Sequence, residues 1–311
     1  MLRLRIATRK SPLALEQARF IAERICHLDR RLSVELIPMN TRGDIVLDRS
    51  LAIIGGKGLF LKELEQALLR HSADCAVHSL KDMPMDLDDA FCVPAILARE
   101  DPSDAFVSNH YAHWTELPPG ARVGTSSPRR HALIRALRSD LQIDDLRGNI
   151  NTRLAKLDAG QYAAIVLASA GLMRLGHFKR VTQRLPLPQW LPAPGQGALA
   201  IQCRQDAPEV VALLSELNEA RLCQAVQAER AMSRYLSGSC HVAIGAYAVA
   251  SAVGLTLHGM VGQARTGHIL RADHCLQADA QTLGRVVAQR LLDQGAQRLI
   301  TPPPSDESLN R

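Results

Sequence analysis

Strands that lead directly into helices with arginine in the first turn are the feature that most constrains how this chain folds. The clearest example is the run Val-Gly-Thr-Ser-Ser-Pro-Arg-Arg at 123–130, where a short apolar strand ends in hydroxyl residues. Pro128 suits the first helical position, and the start of the helix offers free backbone N–H groups beside Arg129 and Arg130. The pattern predicts an α/β fold with an anion-binding site where the strand meets the helix.

Arginine follows predicted strands at further places, and these positions are Arg9, Arg147, Arg153 and Arg174. The chain has 31 Arg and 6 Lys, and guanidinium groups suit bidentate contacts with carboxylate or phosphate. Repeated cationic strand ends predict a ligand with several negative charges. A genome that favours arginine codons is an alternative explanation for the surface arginines.

The formal net charge of +6 fits nucleic acid, an anionic membrane surface or an acidic small molecule as partner. Aromatic residues make up only 4% and do not interleave with the basic clusters, which disfavours stacking on single-stranded nucleic acid. The first residues lack the apolar core of a signal peptide, and no stretch is apolar enough to span a bilayer. We therefore expect a soluble cytoplasmic protein that binds neither membrane nor nucleic acid.

Seven cysteines are scattered along the chain without a Cys-x-x-Cys pair. This spacing argues against a disulfide framework and a structural zinc site, and most of the thiols are expected to be reduced, buried and inert. The adjacent pairs Cys240-His241 and His274-Cys275 are poorly placed to share one ion, so no metal is expected.

Strand and helix signals divide the chain into three predicted domains. Residues 1–98 and 198–217 form the first, 103–192 the second and 219–300 the third, before a Pro- and Ser-rich tail at 301–311 that is predicted to be disordered. The first two domains read as α/β units joined by two crossovers, and the third as a small α+β unit. The predicted strands of the α/β units are 4–7, 33–39, 74–79, 91–98, 122–124, 142–146, 163–167 and 198–203.

The run His-Ser-Leu-Lys-Asp at 78–82 places charge directly after a predicted strand. Ligands bind at the carboxyl ends of strands in open α/β sheets, so Asp82 is a candidate acid, base or cation stabiliser. The alternative is a solvated Lys-Asp turn before a proline.

Cys240 lies in a polar turn between a predicted helix and a strand. A turn cysteine near basic groups is a candidate nucleophile or attachment point. An incidental loop cysteine is the alternative. The polar, glycine-rich stretch 41–58 is predicted to be a mobile loop or lid.

These motifs, taken in order, resemble the hydroxymethylbilane synthase family of tetrapyrrole biosynthesis, also called the porphobilinogen deaminase family. The resemblance covers nearly the whole chain, through the segments 5–14, 55–60, 78–82, 124–130, 146–149, 195–197, 228–232 and 238–240. The chain departs from the family pattern Gly-Gly-Cys-Gln-Val-Pro by Ser239, His241 and Ala243, and has Pro128 where leucine is common.

The resemblance implies two α/β domains like those of periplasmic binding proteins around a hinge, and a third domain that carries a cofactor cysteine. It implies a dipyrromethane cofactor attached to Cys240 through a thioether. Four porphobilinogen units are added with loss of ammonia, and hydrolysis then releases the linear tetrapyrrole. A monomer is also implied.

The same resemblance implies roles for the candidate residues. Asp82 stabilises the azafulvene cation and moves protons, while Asp44 and Lys57 match the pattern of the lid. The residues that hold the carboxylates of porphobilinogen and linear oligopyrroles are Arg9, Ser11, Lys81, Ser127, Arg129, Arg130, Arg147, Arg153 and Arg174. A non-catalytic hinged carboxylate-binding protein is the main alternative, and a nucleic-acid binder is the other.

Overall fold

The computed structural model describes residues 2–41, 61–236, 242–277 and 279–300. Its strands are β1 Leu2–Arg9, β2 Leu32–Met39, β3 Cys75–Ser79, β4 Phe91–Leu97, β5 Asp104–Val107, β6 Arg122–Gly124, β7 Gln142–Asp144, β8 Ala164–Ala168, β9 Gln183–Arg184, β10 Leu199–Arg204, β11 Ala243–Ser251, β12 Gly254–Gly262 and β13 Ile269–Leu276. Its α-helices are α1 Pro12–Leu28, α2 Lys62–Leu69, α3 Pro128–Leu137, α4 Ile150–Asp158, α5 Ser169–Arg174, α6 Pro208–Ser215, α7 Ala220–Tyr235, α8 Ala280–Asp293 and α9 Gln297–Ile300.

The first sheet has the strand order β2-β1-β3-β10-β4. β1 runs parallel to β2 and β3, whereas β10 pairs antiparallel with both β3 and β4. Ile6, Val77 and Ile201 of this sheet pack against Ile21 and Ile25 of α1 in one apolar core. β10, which overlaps the predicted strand 198–203, lies between β3 and β4 in this sheet.

The second sheet has the order β7-β6-β8-β5-β9, with β6 parallel to β7 and β8. Phe106, Val166 and Leu133 pack with Trp190 in its core. The strands β5 and β9 were not predicted. β5 follows a charged, Pro-interrupted run that reads as linker, and β9 has only two residues.

The C-terminal unit is the antiparallel sheet β11-β12-β13 with α7 and α8 packed on it. Met232 of α7 and Val287 of α8 are fully buried against Leu257 of β12. The three sheets confirm the predicted fold class, a mixed α/β chain with a small α+β unit at its C-terminal end. The predicted tail at 301–311 lies outside the described residues.

Candidate active site

The first sheet presents Asp82 at the carboxyl end of β3, on a short 3-10 turn at Leu80–Asp82. Leu80 is buried and anchors the turn, whereas the Asp82 side chain is exposed. The turn therefore presents a carboxylate to the space beyond the strand end, where the predicted ligand site lies.

Lys81 is half-buried beside Asp82, and its Nζ donates to Oε1 of Gln196 at 3.4 Å. Burial lowers the pKa of Lys81 to about 8, with further lowering by Arg130 and Arg129 against the opposing effect of Asp82. Lys81 is thus a cation that the surrounding protein does not fully compensate.

The second sheet contributes Arg153 from α4 and Arg147 from the loop that precedes it. Burial and the nearby Arg130 lower the pKa of Arg153 to about 10, and Asp82 acts in the opposite direction. Nε of Arg153 donates to the carbonyl of Gly148 at 2.8 Å, which fixes the side chain. Asp82 of the first sheet and Arg153 of the second therefore interact electrostatically across the space between the sheets, here called the interdomain cleft.

Arg129 and Arg130 occupy the first turn of α3, as predicted, but their side chains are buried. Both guanidinium groups bind the fully buried Asp104 at the start of β5, with closest distances of 2.8 and 2.7 Å. The two arginines hold the pKa of that carboxyl far below its usual range, against the effect of its burial. No local sequence signal marks Asp104 as a partner of these arginines.

Asp104 also accepts hydrogen bonds from Trp190 Nε1 at 2.8 Å and from Gln196 Nε2 at 2.9 Å. Gln196 therefore contacts Lys81 of the first sheet and Asp104 of the second. The only sequence signal for Gln196 was its place in the Gly-Gln-Gly segment that carries the family resemblance.

Ser11 and Ser127 are N-caps. Their hydroxyl oxygens accept from the backbone N–H of Ala14 at 3.3 Å and of Arg130 at 3.5 Å, which explains the helix starts at Pro12 and Pro128.

Arg9 ends β1 close enough to His78 to lower the pKa of that buried imidazole, although burial itself is the larger cause. Arg174 ends α5, and its guanidinium donates to the carbonyls of Ala98 at 2.7 Å and Gly197 at 2.9 Å. Arg174 thus binds both crossovers between the two sheets.

Three predicted residues, Cys240, Asp44 and Lys57, lie outside the described residues. Within the described ranges, no group of three or more His, Cys, Asp or Glu side chains is placed to hold a metal ion. In the same ranges, no helix is both long and apolar enough to cross a membrane.

Two α/β units joined by two crossovers, with arginine and lysine around an exposed carboxylate between them, define a two-lobed α/β protein with a charged interdomain cleft. Two family models match this chain. The model for "Porphobilinogen deaminase, dipyromethane cofactor binding domain" covers residues 4–212, and the model for the porphobilinogen deaminase C-terminal domain covers residues 223–293. The chain belongs to the porphobilinogen deaminase family.

Curated porphobilinogen deaminases are similar in sequence to this chain over almost its full length. Porphobilinogen deaminase of Xanthomonas oryzae pv. oryzae (strain PXO99A) is 59% identical, covering 96% of this chain and 99% of the relative. The enzyme of Stenotrophomonas maltophilia (strain R551-3) is also 59% identical, covering 96% and 98%. Among solved structures, the methionine-binding protein MetQ is similar with a TM-score of 0.45 at 14% identity, covering 73% of this chain and 91% of MetQ.

Family membership confirms several predictions made from the sequence. The chain is a transferase of tetrapyrrole biosynthesis with hydroxymethylbilane synthase function, it uses a dipyrromethane cofactor, and porphobilinogen is the substrate of its family. The alternative of a non-catalytic carboxylate-binding protein is not favoured.

Proposed function

We propose that hydroxymethylbilane is assembled in the interdomain cleft, with Asp82 as the catalytic carboxylate and Cys240 as the attachment point of the cofactor. The observation that carries this proposal is the placement of Asp82, exposed at the end of β3 between Lys81 of its own turn and Arg153 of the opposite sheet. A carboxylate at this position is accessible to a ligand and is held in a cationic environment.

Asp82 suits a reaction in which ammonia leaves and positive charge develops on the substrate pyrrole. An anion fixed where positive charge develops stabilises that charge, and a carboxylate accepts hydrogen bonds from pyrrole N–H groups. The same carboxylate is able to accept and return a proton, a role that contributes about 10²–10⁴-fold in rate.

The cations of the cleft suit the acetate and propionate groups of porphobilinogen and linear oligopyrroles. The described cluster contains five cations against three carboxylates, those of Asp82, Asp104 and Asp145, the last of which pairs with Arg147 at 3.3 Å. The cations are Lys81, Arg129, Arg130, Arg147 and Arg153. Burial lowers the pKa of Lys81 and Arg153, and repulsion by neighbouring arginines lowers it further. A bound carboxylate would relieve that repulsion. We assign Arg9, Ser11, Ser127 and Arg174 to the same binding set from the family pattern.

The donor set also fits the carboxylate groups of the dipyrromethane cofactor, which when bound supplies the free pyrrole position to which substrate is joined. In this proposal Arg147 and Arg153 hold its carboxylates. Each charged hydrogen bond contributes roughly 1.5–3 kcal/mol. Asp104 keeps Arg129 and Arg130 ordered at the edge of this set, and Gln196 orients Lys81.

We further propose that the protein is a cytoplasmic monomer that binds neither membrane nor nucleic acid. The support is the anionic character of the ligand, which accounts for the clustered arginines without a nucleic-acid partner. Lid roles for Asp44 and Lys57 remain part of the same proposal.

Intact-mass measurement of the purified protein tests the attachment. The parent and Cys275→Ser, a control at an exposed cysteine, should both carry the mass of two linked pyrroles, whereas Cys240→Ser should carry none. An adduct retained by Cys240→Ser would reject Cys240 as the attachment point. A parent that carries no adduct, even after incubation with porphobilinogen, would reject the proposal of covalent assembly.

A further inference from the structure

Three cysteines lie side by side across the first sheet, at the end opposite the cleft. Cys203 of β10 is the register partner of Cys75 on β3 and of Cys92 on β4. Its sulfur lies 3.6 Å from the sulfur of Cys92. The cleft lies at the other end of the same strands, where Leu199 pairs with Ser79.

We propose that Cys92 and Cys203 form an oxidant-sensitive dithiol site that closes to an intramolecular disulfide on exposure to a peroxide. The register between β10 and β4 shifts between Ile201 and Cys203, and Cys203 pairs with Cys92 directly beyond that shift. Opposed residues of a regular antiparallel pair have Cα atoms about 4.5–5.5 Å apart, within the 4.4–6.8 Å range of disulfides. Side-chain rotation is then enough to bring the sulfurs from 3.6 Å to bonding distance.

The two thiols differ in access, which sets the order of the steps. Cys92 is half-buried and able to meet a small oxidant, whereas Cys203 is buried. Burial raises the pKa of Cys203 to about 12, which disfavours its thiolate as the first nucleophile. Cys92 therefore reacts first with the oxidant, and Cys203 then attacks the oxidised sulfur of Cys92 to form the disulfide.

The chemistry balances with a hydroperoxide as the named oxidant. The Cys92 thiolate attacks the O–O bond of hydrogen peroxide, and Cys92 becomes a sulfenic acid as one water leaves. The Cys203 sulfur then attacks the sulfenic sulfur, so that an S–S bond forms, the S–O bond breaks and a second water leaves. In sum, two thiols lose two electrons and two protons, and one peroxide becomes two waters.

The consequence follows from where the two residues lie in the chain. A Cys92–Cys203 bond closes a loop of residues 93–202, which contains every strand of the second sheet. Cross-links that close long loops constrain the unfolded chain strongly. The oxidised protein should therefore have a higher Tm than the reduced protein.

Peptide mapping after peroxide treatment and alkylation of the remaining thiols tests the site. Trypsin places Cys75, Cys92 and Cys203 in three separate peptides, residues 71–81, 82–99 and 185–204. We expect the second and third peptides to be joined, with a loss of two mass units that dithiothreitol reverses.

Three single variants separate this site from general cysteine oxidation. Cys75→Ser should still form the cross-link. Cys92→Ser and Cys203→Ser should form no cross-link, and their Tm should not rise on peroxide treatment. The proposal fails if Cys92 accumulates as sulfinic acid without a cross-link. It also fails if Cys203 is joined to Cys75, or if peroxide leaves all three thiols unchanged.

Discussion

Arg99 and Glu229 are 130 positions apart in sequence and form a buried ion pair, with hydrogen bonds of 2.7 and 3.2 Å. Glu229 of α7 also accepts from the backbone N–H of Gly195 at 2.7 Å and of Ala248 at 2.9 Å. One carboxylate thus joins both crossovers to the C-terminal unit.

Replacing Arg99 with leucine should destabilise the protein by about 3–5 kcal/mol, because the fully buried Glu229 then loses its counter-charge. Urea unfolding measures the change. Arg31→Leu, which removes the exposed ion pair with Asp29, should leave the urea midpoint of unfolding unchanged. Equal, small shifts in both variants would show that Glu229 does not depend on Arg99.

Gly197 should tolerate no side chain. Its φ is +91°, and a Cβ would meet the carbonyl oxygen of Glu100 closer than real Cβ contacts allow. Gly197→Ala is expected to cost about 3 kcal/mol or more. Gly120→Ala, at a φ of +76° in open space, isolates the backbone cost and should lose only about 1–2 kcal/mol. Similar unfolding free energies for the two variants would show that the close approach of Glu100 to Gly197 adds no cost.

His78 should make stability depend on pH. Burial lowers the pKa of His78 to about 4, despite its hydrogen bond to Gln202 at 3.0 Å. Since the unfolded value is about 6.5, the stabilisation is complete above that pH and falls as pH drops towards 4, by roughly 3 kcal/mol. The unfolding free energy of His78→Gln should not show this fall between pH 6.5 and pH 4. His110→Gln, at an exposed position, should show the same fall as the parent. Identical slopes for parent and His78→Gln would contradict the assignment.

Lys81 should make activity fall in mild alkali. Its pKa of about 8 means that the charge is lost as pH rises, and kcat/KM should drop by about 10-fold between pH 7 and pH 9. Lys81→Arg should move the fall to higher pH, because guanidinium stays charged. Lys62→Arg, at an exposed position, should leave the profile unchanged. A Lys81→Arg profile that coincides with the parent's would exclude Lys81 as the titrating group.

Local signals predicted much of the fold. Pro128 correctly marked the first residue of α3, because a proline acts on the helix start within a few residues. Burial was harder to predict. We expected most cysteines to be buried, which was wrong, because among the described cysteines only Cys75 and Cys203 are buried.

Long-range pairing explains most of what the sequence did not reveal. Arg129 and Arg130 look like ligand donors at a helix start, yet Asp104, some 25 positions away, binds both. Glu229 lay inside a motif that carried the family resemblance, but nothing local indicated Arg99 as its partner. Such pairs depend on how separate sheets pack, which short sequence patterns do not encode.

Asp82 as the catalytic carboxylate is the central claim, and turnover of porphobilinogen by Asp82→Asn tests it most directly. We predict that this variant folds and keeps its covalent adduct by intact mass, while turnover falls by about 10²–10⁴-fold. Asp86→Asn, at an exposed aspartate four residues on, should remain close to the parent. Near-parental turnover by Asp82→Asn would contradict the account.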